Sequence, residues 1–145
     1  MIDGIQIIEL KTNNDERGFF KEIIRLKNYG DKFDRGQLSH SMVKKNVLKA
    51  WHGHKIQSQW NYVVSGLIKV VLYDNNSISK TYKNSHEFFV GEGYPSIAYF
   101  FAPGVLHSYR CLIEPMHIIY LTSGTYDIEE EIRIKVNDPS IVYSW

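Results

Sequence analysis

The sequence predicts an all-β fold of the sandwich or barrel kind. Short apolar or alternating runs recur along the chain, and the breaks between them hold turn-forming residues. Aromatic content is also high, with ten Tyr, seven Phe and three Trp. Aromatic and β-branched side chains suit a pleated, half-buried surface. Many short strands at close, even spacing favour a sandwich or barrel over an α/β fold.

Ile5–Leu10 opens the series and stops before Asn13-Asn14-Asp15. Phe19–Arg25 follows and leads into the best helical candidate, Ile24–Tyr29, which Tyr29-Gly30-Asp31 ends. Gln37–Val43 and Val47–His52 are the next expected strands, then Trp60–Val64 and Leu67–Tyr73, the last closed by Asp74-Asn75-Asn76. Ile78–Lys83, Glu87–Val90 and Ser96–Phe101 continue the pattern, with Gly91-Glu92-Gly93 as a break. After Pro103-Gly104 come His107–Leu112 and His117–Thr122, and a further helical turn is expected around Asp127–Glu131. Gly, Asn, Asp and Pro form these breaks for steric and hydrogen-bonding reasons.

At 145 residues the chain fits a single domain spanning 1–145, able to bury roughly two-thirds of its unfolded surface. Seventeen basic against sixteen acidic side chains give no electrostatic reason to expect a nucleic-acid surface or a polybasic membrane patch. One cysteine, Cys111, suits a reducing compartment. Met1-Ile2-Asp3-Gly4 lacks a signal-peptide layout, and no apolar run reaches membrane-spanning length. The chain is therefore read as cytoplasmic.

The densest chemical signal is His52-Gly53-His54, followed by Gln59, Gly66 and Pro103-Gly104-Val105-Leu106-His107. Residues i and i+2 of a strand face one side, so His52 and His54 project together. A facing strand bearing His107 would bring three imidazoles and one amide into one cavity, which in a small barrel is a ligand pocket. The spacing resembles the HxH…acid…G and PxGxxH motifs of the cupin superfamily and so implies a jelly roll with minor helical turns. Gln59 stands where the acidic residue would be. Three His and a Gln could hold Fe, Mn, Ni or Zn, but a neutral amide leaves such a site without an anionic ligand. No metal and no cofactor is expected, and a metal-dependent cupin remains an alternative.

Further segments resemble a narrower family. Asp15-Glu16-Arg17-Gly18-Phe19-Phe20-Lys21-Glu22 is similar to the DxRGxFxE signature of the dTDP-4-dehydrorhamnose 3,5-epimerases. Gln37-Leu38-Ser39-His40-Ser41 resembles their QxNHS strand, and Val47-Leu48-Lys49-Ala50-Trp51-His52 their VLRGLH segment. Tyr120 and Tyr126 fall on family tyrosines, and Asn137-Asp138-Pro139…Trp145 resembles the family's NDP…W close. His52-Gly53-His54-Lys55 with Gln59 and Gly66 also resembles the HxHK…Q…G stretch of nucleotide-sugar 3,4-ketoisomerases.

The resemblance implies an epimerase or isomerase of nucleotide-linked 4-keto-6-deoxy sugars in polysaccharide or deoxysugar biosynthesis. His52 would remove the proton next to the ketone and Tyr120 would return it on the opposite face. Neutral imidazole suits the first step because its ordinary pKa lies near working pH. Arg17 and Lys49 are the implied diphosphate ligands, with Arg17 reaching a neighbouring subunit of a homodimer. Phe20, Glu22, Gln37 and Tyr126 fall on substrate-binding positions, while His54, Gln59 and His107 are donors for the enolate oxygen. Three departures bear on catalysis, the smallest being Ala50 in place of the glycine of VLRGLH. Gln59 replaces a family Lys, and the Asp that orients the family base lies beyond the NDP…W segment, so no matching carboxylate is expected for His52. A 3,4-ketoisomerase and a non-catalytic sugar-nucleotide binder are the alternatives.

Overall fold

A computed structural model describes residues 1–145. The chain is an antiparallel β-sandwich with ten strands, β1 (Ile5–Glu9), β2 (Thr12–Asp15), β3 (Gly18–Lys21), β4 (Gln37–Val43), β5 (Leu48–His54), β6 (Gln59–Asp74), β7 (Ser85–Gly91), β8 (Ile97–Phe101), β9 (Val105–Thr122) and β10 (Glu131–Arg133). A 3-10 helix, Leu26–Phe33, is the one helical element.

Two long strands organise it. β6 has 16 residues and β9 has 18, and they pair antiparallel from Gln59↔Thr122 to Asp74↔Val105. The sequence reads each as two strands, Trp60–Val64 with Leu67–Tyr73 and His107–Leu112 with His117–Thr122, parted at Ser65-Gly66 and at Ile113-Glu114-Pro115-Met116. The structure keeps both ribbons continuous through register shifts between Val63 and Ile68. Beyond the bend each ribbon acquires new neighbours. One half runs β1-β8-β6-β9-β4, where β8 pairs Gln59–Tyr62 and β4 pairs Met116–Thr122. The other runs β7-β6-β9-β5-β10, where β7 pairs Leu67–Tyr73 and β5 pairs the stretch of β9 from His107 to Arg110. These halves face each other as a jelly roll of the cupin type.

Gly66 makes the bend possible. Its φ is +77°, and a Cβ there would stand 2.4 Å from the Ile113 carbonyl oxygen. Gly66→Ala is expected to destabilise the fold by at least about 2 kcal/mol, since left-handed strain and a backbone clash add. The check is the urea midpoint; a value matching the parent would refute this account of the bend.

Between the halves lies the main apolar core, including Ile68, Val70, Leu72, Phe101, Cys111 and Met116. A second cluster covers the outer face of β5, where Trp51, Val71, Tyr73 and Leu106 meet Ile141, Tyr143 and Trp145. Alternation explains it: Trp51 points outward into this cluster, so His52 points inward. The C-terminal segment thereby clamps the register of the strand that carries the histidines. The 3-10 helix caps the opposite face through Phe33, Tyr29 and Trp60.

Two local expectations are corrected. Asn13-Asn14-Asp15, read as a break, lies in β2 and pairs with β3, while the turn is made at Glu16-Arg17, where the Asp15 carboxylate accepts from the Arg17 amide and guanidinium. Ile78–Lys83, read as a strand, is a set of turns with Ile78 90% exposed. Buried Asp74 organises it by accepting from the hydroxyls of Ser79 and Thr81 and from the Asn76 amide. No helix is long and apolar enough to cross a membrane.

Candidate active site

A cleft of about 740 Å³ opens inside the sandwich, lined from both halves. Its size is that of small-ligand sites, roughly 300–1,000 Å³. The polar phase of the alternation lines it: Gln37, Ser39 and Ser41 of β4, His52 and His54 of β5, Gln59 and Asn61 of β6, and Tyr120 and Thr122 of β9. His107, Lys49 and Tyr126 also reach it. The Tyr126 amide donates to Gln37 Oε1 at 3.0 Å, which ties the loop after β9 to β4. Arg17, Phe20 and Glu22 do not line the cleft. They stand exposed on and just after the β2–β3 hairpin, Arg17 paired with Asp15 and Glu22 with Arg25.

Gly53 lets the histidines come together. A Cβ there would meet Leu106 Cδ2 at 2.9 Å and the Val105 carbonyl oxygen at 3.1 Å, so glycine eases the close approach of β5 to the start of β9. His52 and His107 face each other in register, with Nδ1 of His52 3.1 Å from Nε2 of His107. The His107 ring stacks on Phe101 at 4.5 Å. Burial, then the neighbouring His52 and His54, hold the His107 pKa well below its ordinary value, so the ring is neutral.

A carboxylate from elsewhere in the chain than the family Asp stands beside His52. β10 pairs with the edge of β5 so that Glu131 and Arg133 stand opposite His54 and His52, while Ile132 turns into the outer cluster. Glu131 Oε1 lies 3.2 Å from His52 Nε2, close but off the line of a hydrogen bond. Arg133 holds the other oxygen of Glu131 through Nε at 2.8 Å. A carboxylate beside Nε2 favours the tautomer with its proton there and leaves the lone pair on Nδ1. Burial is the largest influence on His52; together with positive neighbours it outweighs Glu131 and lowers the pKa, so the ring is neutral near pH 7.

Glu130, Glu131 and Arg133 were missed because a run of charges in sequence reads as a solvated face. The signal available was the apolar Ile132 and Ile134 at alternate positions, which marks a short half-buried strand. Asn61, Tyr99 and Tyr109 also line the cleft and carried no motif.

Three imidazoles with ligand atoms within 4.8 Å of one another suggest a divalent metal. In this structure their ring nitrogens are engaged within the cluster. His54 Nδ1 lies 2.8 Å from Glu130 Oε2 and its Nε2 lies 3.1 Å from Gln59 Oε1, so both nitrogens face oxygen acceptors. His52 Nδ1 is turned to His107. The cluster does not offer three free lone pairs to a single ion.

The family model for dTDP-4-dehydrorhamnose 3,5-epimerase matches residues 1–145. The chain belongs to the dTDP-4-dehydrorhamnose 3,5-epimerase family. It is 38% identical over 149 residues to the spore coat polysaccharide biosynthesis protein SpsL of Bacillus subtilis, covering all of this chain and 97% of that protein. Among solved structures, the 3,5-epimerase RmlC of Legionella pneumophila in complex with dTDP-4-keto-L-rhamnose is 28% identical with a TM-score of 0.83, covering 99% of this chain and 79% of that one. A sugar 3,4-ketoisomerase, QdtA of Thermoanaerobacterium thermosaccharolyticum, shares the fold at 21% identity and a TM-score of 0.74, covering 92% and 90%. Both of the related activities resembled by the sequence therefore occur on this fold.

Proposed function

We propose that this epimerase-family chain epimerises a nucleotide-linked 4-keto-6-deoxy sugar through an enolate, with His52 as base and Tyr120 as the acid on the opposite face. The observation that carries it is His52 itself: a neutral imidazole on the cleft wall, with Glu131 beside Nε2 and a basic Nδ1. The C–H electron pair next to the ketone becomes the enolate double bond, the carbonyl pair moves onto oxygen, and the proton goes to His52. Tyr120 then gives its hydroxyl proton to the other face, and solvent restores both residues. His107, His54 and Gln59 line the wall beside His52, so charge on the enolate oxygen would develop against polar groups. Lys49 at the rim serves the diphosphate as a point charge. The relatives' names support a thymidine diphosphate carrier and a role in polysaccharide synthesis.

Incubation with a panel of 4-keto sugar nucleotides in deuterated water tests this reading. Deuterium next to the ketone is the expected result; none with any member would sink it. The His54–Gln59 contact favours a second reading, a 3,4-ketoisomerase, which shares the enolisation and would show a migrated carbonyl by NMR.

Glu131 acts through His52 as a positioning residue. Glu131→Gln is expected to lower the exchange rate by about 10-fold to 10²-fold with KM little changed. An unchanged pH profile of exchange would refute the role, because the substitution removes the carboxylate that raises the His52 pKa.

The assembly that supports Arg17, Phe20 and Glu22 is a homodimer. β4 turns its apolar phase outward, with Leu38 70% and Met42 55% exposed, and Phe19 and Phe20 on the hairpin are each 68% exposed. Pairing these surfaces would carry Arg17 to the partner's cleft. Light scattering is expected to give twice the chain mass, and Arg17→Ala to raise KM about 10-fold or more. A monomer with full activity would overturn this arrangement.

A further inference from the structure

His54 is the most thoroughly enclosed of the three cleft histidines, 6% exposed, and each ring nitrogen faces an oxygen. The Nδ1 side is a carboxylate. Glu130 Oε1 accepts the backbone amides of Ile56 and Gln57 at 3.0 and 2.7 Å, while Oε2 lies 2.8 Å from His54 Nδ1. Those bonds hold the Glu130 pKa below its ordinary value despite burial, which is the largest single influence and acts the other way. Glu130 is therefore a buried anion, 4% exposed, that needs a cation.

The Nε2 side is a relay with a direction. The Tyr99 backbone carbonyl can only accept, and Asn61 Nδ2 is turned to it at 3.5 Å. Asn61 Oδ1 then accepts from Gln59 Nε2 at 2.6 Å, which leaves Gln59 Oε1 to face His54 Nε2 at 3.1 Å. An amide oxygen so placed is satisfied only by an N–H. Reversing both amides would set Asn61 Oδ1 against the Tyr99 carbonyl. The relay and the carboxylate thus demand a proton on each nitrogen of the same ring.

We propose that His54 is held as an imidazolium by Glu130 on Nδ1 and the Gln59–Asn61–Tyr99 relay on Nε2, and that it is the fixed cation that stabilises the enolate formed in the cleft. The remaining charged or titratable groups around it are His52, His107, Glu131 and Arg133. Glu131 is paired with Arg133, so Glu130 is the carboxylate committed to His54. The two other imidazoles have lowered pKa values, with the charge on His54 among the causes in each case, which keeps His52 available as a base. Ring centroids of His52 and His54 are 5.0 Å apart, so carbanion character arising beside the base forms within reach of the cation.

The electrostatic half rests on the enolising reading above; the protonation half does not. Long-range proton–nitrogen NMR of the full-length, nitrogen-15-labelled protein reads the rings without substrate, with His54→Asn used for assignment. Both His54 nitrogens are expected in the protonated range through neutral and mildly alkaline pH. A lone-pair-bearing nitrogen on His54 would overturn the proposal. Gln59→Glu then tests the charge, because a carboxylate at Nε2 keeps the proton but cancels the field. Exchange is expected to fall about 10²-fold with His54 still doubly protonated. Exchange at the parent rate in that variant would refute the enolate role, while absence of exchange in the parent protein would strike the enzymatic reading and leave the protonation result standing. Glu130→Gln is the independent variant, expected to leave a neutral His54.

Discussion

His52→Asn is expected to abolish deuterium incorporation next to the ketone, lowering the rate by about 10³-fold or more, because no neighbouring group can take over as base. Both nitrogens of His54 face Glu130 and Gln59, and burial holds the His107 pKa well below its ordinary value, which makes it a poor base. Retention of exchange within about tenfold of the parent would remove His52 from the mechanism. The parent enzyme should also show a characteristic acid limb. A base works when unprotonated, and burial lowers the His52 pKa from its ordinary 6.5. As pH falls, the ring therefore stays neutral through 6.5 and exchange declines only below it. A decline that begins above pH 6.5 would show that a different group sets the limb.

Tyr120→Phe carries the second large effect, and its signature is a split. Proton removal does not need the tyrosine hydroxyl, so exchange should persist within a few-fold, while the inverted product falls by about 10²-fold or more. The position explains the separation. Tyr120 stands on β9 in register with Ser39 of β4 and Asn61 of β6, in the half of the sandwich facing the one that carries His52. A phenyl ring keeps the packing of that wall and loses only the transferable proton. If inversion survives, solvent or another group returns the proton. If both exchange and inversion vanish, Tyr120 acts in enolisation itself, and the two-face scheme fails.

The two substitutions differ in what surrounds each residue. His52 sits among groups that set its charge and tautomer, so changes at Glu131 or Gln59 should move its pH profile. Tyr120 lies outside that hydrogen-bonded cluster and should be indifferent to them. Combining Glu131→Gln with Tyr120→Phe is expected to give additive losses in product formation, as for sites without shared partners.

Much of this site was legible before any coordinates. Alternation places His52 and His54 on one face, and the order of Gln37, Lys49, Gln59, His107 and Tyr120 resembles a known family. All of these line the cleft. The hairpin residues Arg17, Phe20 and Glu22 came from the same resemblance, and one chain leaves them exposed, because their surroundings depend on what covers the hairpin.

By itself, the sequence determined the β class, the shared face of His52 and His54 and the identity of the central imidazoles, because period-two patterning and local motifs are properties of neighbouring residues. The tertiary structure alone decided the charges around them. Glu130 and Glu131 lie 76 and 79 positions along the chain from His54 and His52 and meet them only because β10 pairs with the edge of β5. The same pairing turns a charge run that would be solvated in an isolated segment into a buried anion at His54 and a braced carboxylate at His52. Burial then fixes what no local pattern encodes, since the proton on an imidazole is set by the dielectric and the partners at each nitrogen.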